Sequence, residues 1–276
     1  MHVEVADSRV GSAELLPRLT AGARRLRNGI GAMGWAELQK LRHDNLDIAT
    51  RSVQPLLWLF VFGTALQHNH ALSGGYGDYR AYLAPGVMAQ AALFVAIFFG
   101  LGVIWERDVG QLQRLLATPL PRLGIVLGKA TGAAIRALAQ AVVLLVVIAI
   151  ARISIHWSVQ GVVGAVALLL IGTAAFACLS MILASLVKTR ERFMGIGQLV
   201  VMPLFFASSA LYPLAIMPTW LRVVAHANPL SYEVHGMRAL LLGLPGGLLW
   251  LDFTVMICFL LVTAIVAAKT YPRAIL

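Results

Sequence analysis

An all-α, polytopic membrane protein with six transmembrane helices is the fold that this sequence predicts. Three observations carry the prediction. Of the 276 residues, 59% are hydrophobic and only 12% charged, with a mean hydropathy of +0.82. A soluble domain has about 25% charged residues, so this chain lacks the polar surface to coat a water-soluble globule. The stretches Leu83–Trp105, Ser158–Val187 and Phe193–Leu221 carry no charge, and each exceeds the ~20 residues that a spanning helix needs. Lysine and arginine collect in alternate connections between apolar runs.

In chain order, residues 1–31 read as a loose leader and 32–50 as an amphipathic helix lying in the interface. Trp35, Leu38 and Leu41 share one side there, with Glu37, Lys40, Arg42 and Asp44 elsewhere. Nothing in residues 1–50 resembles the apolar core of a cleaved signal, so the first span is expected to double as the targeting signal. Residues 51–276 form the membrane domain, with spans near 52–68, 83–105, 130–151, 159–187, 193–213 and 248–268. The first is short and holds Gln54 and Pro55. The third holds Arg136, expected to snorkel to the interface. The sixth places Asp252 near the headgroups.

Orientation follows from the basic bias. Residues 1–51 hold eight basic side chains from Arg9 to Arg51, and the second–third connection holds Arg107, Arg114, Arg122 and Lys129. The fourth–fifth connection holds Lys188, Arg190 and Arg192, and the tail holds Lys269 and Arg273. The other connections offer only Arg80, Arg152, Arg222 and Arg238. Both termini are therefore expected in the cytoplasm, with the chain in the inner (cytoplasmic) membrane. The net charge of +10 is explained by these blocks, which lack the basic face interleaved with aromatics that nucleic acid would require. Cys178 and Cys258 lie in apolar runs and read as buried, inert thiols.

The segment from Glu106 to Arg122 follows the second span directly. Val109, Leu112, Leu115 and Leu116 are expected on one side of a short helix that Pro119 and Pro121 stop. Such a helix suits either a groove on a partner or the lipid interface. Beyond the fifth span, Pro213, Pro218, Pro229 and Pro245 break up the segment from Tyr212 to Gly247, while Trp220, Leu221, Val223 and Val224 keep it apolar. Broken helices at membrane depth need burial in protein or a cavity. Trp220 and Tyr232 also suit interfacial anchors.

Glu106-Arg107, Gly110, Leu115-Leu116, Thr118-Pro119, Arg122 and Gly128-Lys129, in that order, resemble the permease subunits of ATP-binding-cassette type-2 exporters. These include drug-resistance and polysaccharide-export permeases. Tyr212-Pro213-Leu214, Met217-Pro218, Trp220-Leu221, Asn228-Pro229-Leu230-Ser231-Tyr232 and Arg238 resemble that family's external segment. The resemblance implies a coupling helix on an ATPase subunit, formed by Glu106, Arg107, Gly110, Leu112, Leu115, Leu116, Thr118 and Pro119. It implies an external re-entrant cap carrying Pro213, Pro218, Trp220, Asn228, Pro229, Tyr232 and Arg238. A second permease copy or homologue would complete a dimer among membrane lipids.

Gly124-Ile-Val-Leu-Gly128-Lys129-Ala130 has one residue too few between its glycines for a phosphate loop, and Ala130 replaces the magnesium-binding hydroxyl. No catalytic role is expected; ATP and magnesium would belong to the partner ATPase. His68-Asn69-His70 reads as polar filler, and no metal site is expected. Gln198, Ser208 and Ser209, with Gln90 and Gln140, are the notable polar groups in the spans; they either line a pathway or join helices. Spans so poor in ionisable groups disfavour an ion-coupled secondary transporter, and a subunit that assembles without transporting is a further alternative.

The topology is open to test by cysteine labelling in a background lacking Cys178 and Cys258. His156→Cys and His226→Cys should label from outside intact cells and Lys188→Cys should not; the reverse pattern would invert the later spans.

Overall fold

The computed structural model describes residues 29–32, 34–35, 39, 45–67, 78–118, 120–187, 189–244 and 248–271. Every regular element among them is helical. We number them α1 Asn45–Leu57, α2 Tyr79–Asp108, α3 Gln111–Leu116, α4 Arg122–Ile150, α5 Val159–Leu186, α6 Arg190–Phe206, α7 Thr219–Ala227, α8 Pro229–Leu242 and α9 Leu249–Thr270. α1 continues through a π-helical turn, Trp58–Phe62, into a last turn at Gly63–Ala65. The leader before residue 29, His68-Asn69-His70, and residues 33, 36–38 and 40–44 of the expected interfacial segment lie outside the described residues.

Helix starts follow capping chemistry. Asp78 accepts from the Arg80 amide at 3.0 Å, Ser158 from Gly161 at 3.0 Å, and Asn228 from Leu230 at 3.0 Å with Pro229 at the first helical position. α8 ends on Gly243 at φ +65°, the left-handed cap that glycine adopts without strain.

Among the described residues, four helices are long and apolar enough to cross a membrane: α2, α4, α5 and α9. The expected first and fifth spans are the two that fall short, and each has a local cause. In α1, Pro55 has no N–H for the Arg51 carbonyl. The amide of Gln140 in α4 donates to that carbonyl instead, at 3.1 Å, and the helix loosens into its π turn three residues later. α6 has 17 residues and stops at Phe206. At 1.5 Å per residue that is ~26 Å, just under the thickness of a hydrocarbon core. α4 runs the other way, starting at Arg122 rather than near 130. Arg136 lies 5.7 Å from the centroid of the Phe99 ring of α2.

α5 is the hub and packs against α2, α4, α8 and α9. Small residues make this possible, as expected where helix association depends on close packing. At Gly100 of α2, an added Cβ would lie 2.2 Å from the Ser180 hydroxyl of α5. That hydroxyl receives the Gly100 amide at 2.9 Å and donates to the Ile97 carbonyl. Gly86 of α2 is tighter against backbone, since a Cβ there would come within 2.3 Å of the Ala210 carbonyl oxygen. Apolar side chains left exposed form outward stripes, with Leu138, Val142, Val146 and Ile150 on α4, and Ile257, Leu261 and Ile265 on α9. Cys178 is buried, but Cys258 lies exposed on α9, contrary to the expectation of two buried thiols. Asp252 is buried between α9 and α8, where its carboxylate meets His235 Nδ1 at 2.8 Å.

Gly86→Ala should therefore lower the unfolding midpoint, because it drives a methyl into backbone; overpacking of this kind costs about 1–3 kcal/mol. Gly102→Ala, where a Cβ meets nothing within 4 Å, should leave the midpoint in place or raise it. Thermal unfolding of the two purified variants in detergent makes the comparison.

Candidate functional site

Two clusters of polar contacts stand at opposite ends of α2. At its C-terminal end, three consecutive side chains reach three different helices. Glu106 pairs with Lys129 of α4, a contact in which both side chains are largely buried. Arg107 Nη1 donates to the Val187 carbonyl at the end of α5, at 3.1 Å. Asp108 receives two N–H groups from Arg190, at 3.1 and 2.9 Å, in the first turn of α6. Arg190 also lies 4.2 Å from the centroid of the Trp105 ring. The exposed Asp108–Arg190 pair adds little stability, of order 0–1 kcal/mol. The Glu106–Lys129 pair matters more, since removing one partner of a buried pair costs up to about 3–5 kcal/mol.

Gly110 then turns the chain at φ +72°, a left-handed conformation that favours glycine, and α3 follows. Its apolar side faces inward. Leu112 is fully buried, and Leu115 packs against the core. The side chain of Leu116 and all of Pro119 lie outside the described residues. The expectation that Leu112 and Leu115 present one face to a partner is thus reversed, because the short helix needs that face to hold itself to α2. Its outer surface consists of Val109, Gln111, Gln113, Arg114, Ala117 and Thr118, and the Thr118 hydroxyl donates to the Leu115 carbonyl at 2.6 Å.

At the other end, the chain break after α6 is closed by side chains. A helix leaves its last four carbonyls without intrahelical partners. Here Pro203 receives the Ala207 amide at 2.9 Å, and Phe205 receives the Ser208 amide and hydroxyl at 3.2 and 2.7 Å. Leu204 receives Asn228 Nδ2 at 2.7 Å, and Phe206 the Tyr212 hydroxyl. Asn228 was expected to repair groups unpaired by Pro229; it repairs the end of α6 and caps its own helix. Arg238 donates to the carbonyls of Tyr82, Ser209 and Ala210 at 3.2, 2.9 and 3.4 Å, and its guanidinium sits 3.7 Å from the Tyr82 ring centroid. Tyr232 donates to the His226 carbonyl at 2.9 Å.

Pro213 precedes a 3-10 turn at Leu214–Ile216, and Pro218 precedes α7. Trp220 is 68% exposed on α7, so its side chain does not hold the turns. Arg222 does, donating to the carbonyls of Leu214, Ala215 and Met217 at 3.1, 3.1 and 3.2 Å. α8 runs antiparallel along α5, with Leu240 against Gly161, Gly236 against Leu168 and Glu233 against Gly172. Asn228 is therefore at the deep end of α8. Of the three polar residues assigned to a pathway, Gln198 is exposed on α6. Ser208 and Ser209 are buried, and Ser209 lines a cavity of about 200 Å³ with Tyr82, Pro213, His235 and Arg238.

Residues 28–242 match the ABC-2 type transporter family, spanning both clusters. The chain belongs to that family. Its relatives include a protein named as a transport permease, ycf38, of Cyanophora paradoxa, 29% identical over 73% of this chain and 70% of the relative. Nodulation protein J of Rhizobium leguminosarum bv. trifolii is 32% identical over 70% of this chain and 72% of its own length. The daunorubicin resistance ABC transporter permease protein DrrB1 of Streptomyces coeruleorubidus is 24% identical over 77% and 74%. The chain spans 64% and 65% of the ycf38 proteins of Porphyra purpurea and Pyropia yezoensis.

For an ABC-2 family member, the residues that sequence reasoning missed are informative. Arg190 and Arg222 were read only as charges that set orientation, and Asp108 was not singled out. Glu233 was not singled out, yet it is 1% exposed and its Oε1 has no hydrogen-bond partner. The available signal was that Glu233 is the one acidic residue in the stretch Asn228–Leu242.

Asn228 offers a clean test of the closed break. Asn228→Ser keeps an oxygen able to cap α8 but loses the N–H that serves Leu204, and an unserved buried carbonyl costs about 1–3 kcal/mol. Asn228→Ala loses the cap as well, for roughly 1 kcal/mol more. Unfolding midpoints in detergent should fall in that order, wild type above Ser above Ala.

Proposed function

We propose that this chain is the membrane-spanning half of an ATP-driven exporter, working as a dimer with two separate ATPase subunits. The single observation that carries the reading is the triple tie at Glu106, Arg107 and Asp108, within the stretch that matches the ABC-2 family. A force applied to residues 106–118 reaches α4, α5 and α6 together, which is what coupling to a partner's motion requires. The names of DrrB1 and nodulation protein J as relatives support the same class.

In this reading α1 with its π turn and α6 join the four longer helices to make six spans. Both termini and α3 face the cytoplasm in the inner membrane. ATP and magnesium are handled by the partner, and this chain is not itself an enzyme. Its own part is to carry the push from α3 into the bundle, where Lys129, the Val187 carbonyl and Arg190 receive it. At the outer side, α7 and α8 re-enter the membrane as the cap, tied down by Asn228, Arg222 and Arg238. The cargo is a hydrophobic or amphipathic molecule such as a drug, a lipid or a lipid-linked glycan.

The test uses the outward face of α3, since Leu112 serves the fold. Val109→Asp and Arg114→Glu should leave expression and unfolding midpoint near wild type. Together they should abolish co-purification of the ATPase and ATP-dependent flux in proteoliposomes. Wild-type assembly and flux in the double variant would refute docking at this face. Flux driven by an ion gradient without ATPase would favour a secondary transporter, and assembly without any flux a non-transporting subunit.

A further inference from the structure

Between α1, α2 and α4 lies a cavity of about 310 Å³, within the range of small-molecule sites. Its walls include Arg51, Gln90, Phe94, Phe98 and Gln140. Gln90 and Gln140 are each 4% exposed, and the amide oxygen of each has no hydrogen-bond partner. The polarity of Gln140 is fixed by its neighbour. Its Nε2 donates to the Arg51 carbonyl that Pro55 cannot serve, so its Oε1 is the acceptor left over. Gln90 stands 11 residues into α2, ~16 Å from that helix's start, a depth at which hydrocarbon offers no donor.

A buried acceptor without a donor costs about 1–3 kcal/mol. Leucine at either position would avoid that cost, and helix packing needs only the nitrogen of Gln140. The two oxygens are therefore suited to a donor that arrives with a ligand. Phe94, Val95 and Phe98 supply an apolar wall beside them, and Arg51 is the one ionisable residue among the described residues that line the cavity. A hydroxyl or amide N–H would meet acceptors there.

We infer that the cavity between α1, α2 and α4 binds an amphiphile with its hydroxyl or amide N–H donors on Gln90 and Gln140 and its apolar part against Phe94 and Phe98. That this molecule is cargo rests on the exporter reading; the binding site itself does not.

The experiment uses the full chain in phosphatidylcholine nanodiscs with a photoreactive dodecyl maltoside as probe. Labelling of peptides containing Gln90–Phe98 and Gln140 should saturate. Dodecyl maltoside should compete and dodecyltrimethylammonium should not. Ala91→Leu, which fills the cavity without touching either glutamine, and Gln140→Leu should each reduce occupancy at least tenfold. Non-saturating labelling, equal competition by the two amphiphiles, or wild-type labelling in Ala91→Leu would overturn the site. With the ATPase co-expressed, stimulation of hydrolysis by dodecyl maltoside that Ala91→Leu removes would support cargo. Saturable binding with no effect on hydrolysis would support a resident lipid and sink the cargo assignment. Failure of the ATPase to associate would count against the exporter reading alone.

Discussion

Hydrocarbon supplies no hydrogen bonds, so every place where this chain interrupts a helix must be repaired from within the protein. The repairs account for three of the buried polar side chains, Gln140, Asn228 and Arg238. Gln140 serves the carbonyl stranded by Pro55, and Asn228 and Tyr212 serve the end of α6. Arg222 and Arg238 gather the carbonyls of the irregular stretch that follows. Arg107 does the same for the last carbonyl of the α5 end. Each repair also joins two elements, so the polar groups that prevent an unsatisfied backbone are the groups that fix helix positions.

The two ends of α2 differ in how they are held. At the Tyr82 end the partners of Arg238 are backbone carbonyls, which have fixed positions. At the Glu106 end two of the three ties are between charged side chains, one of them well exposed. The first arrangement resists displacement, and the second tolerates adjustment in salt and water. A bundle that is pushed from one end and must stay sealed at the other would need this division.

Much of this was legible in the sequence, because uncharged runs and basic blocks respond directly to the cost of placing charge in lipid. The all-helical class and α2, α5 and α9 follow from that cost, and the breaks near Pro213, Pro218 and Pro229 from the N–H that proline lacks. The misreadings have a common physical source. Periodicity in Val109–Leu116 says that one face is apolar, but not whether that face turns inward or outward, and a six-residue helix cannot stand free of its neighbour. Tertiary partners such as Arg190 for Asp108 stand 82 positions apart, and no local pattern encodes them.

Arg238 and the Tyr82 carbonyl are separated by 156 positions. At typical synthesis rates the carbonyl emerges roughly 8–30 s before the guanidinium that will cover it. α5, against which most of the bundle packs, also arrives after α2 and α4 are complete. The nascent chain must therefore wait in the bilayer as a loose set of helices, with its polar breaks shielded by water at the interface or by the insertion machinery. Closure by Arg238 marks the end of that interval. A chain truncated before this residue would display the open breaks that quality-control proteases can recognise.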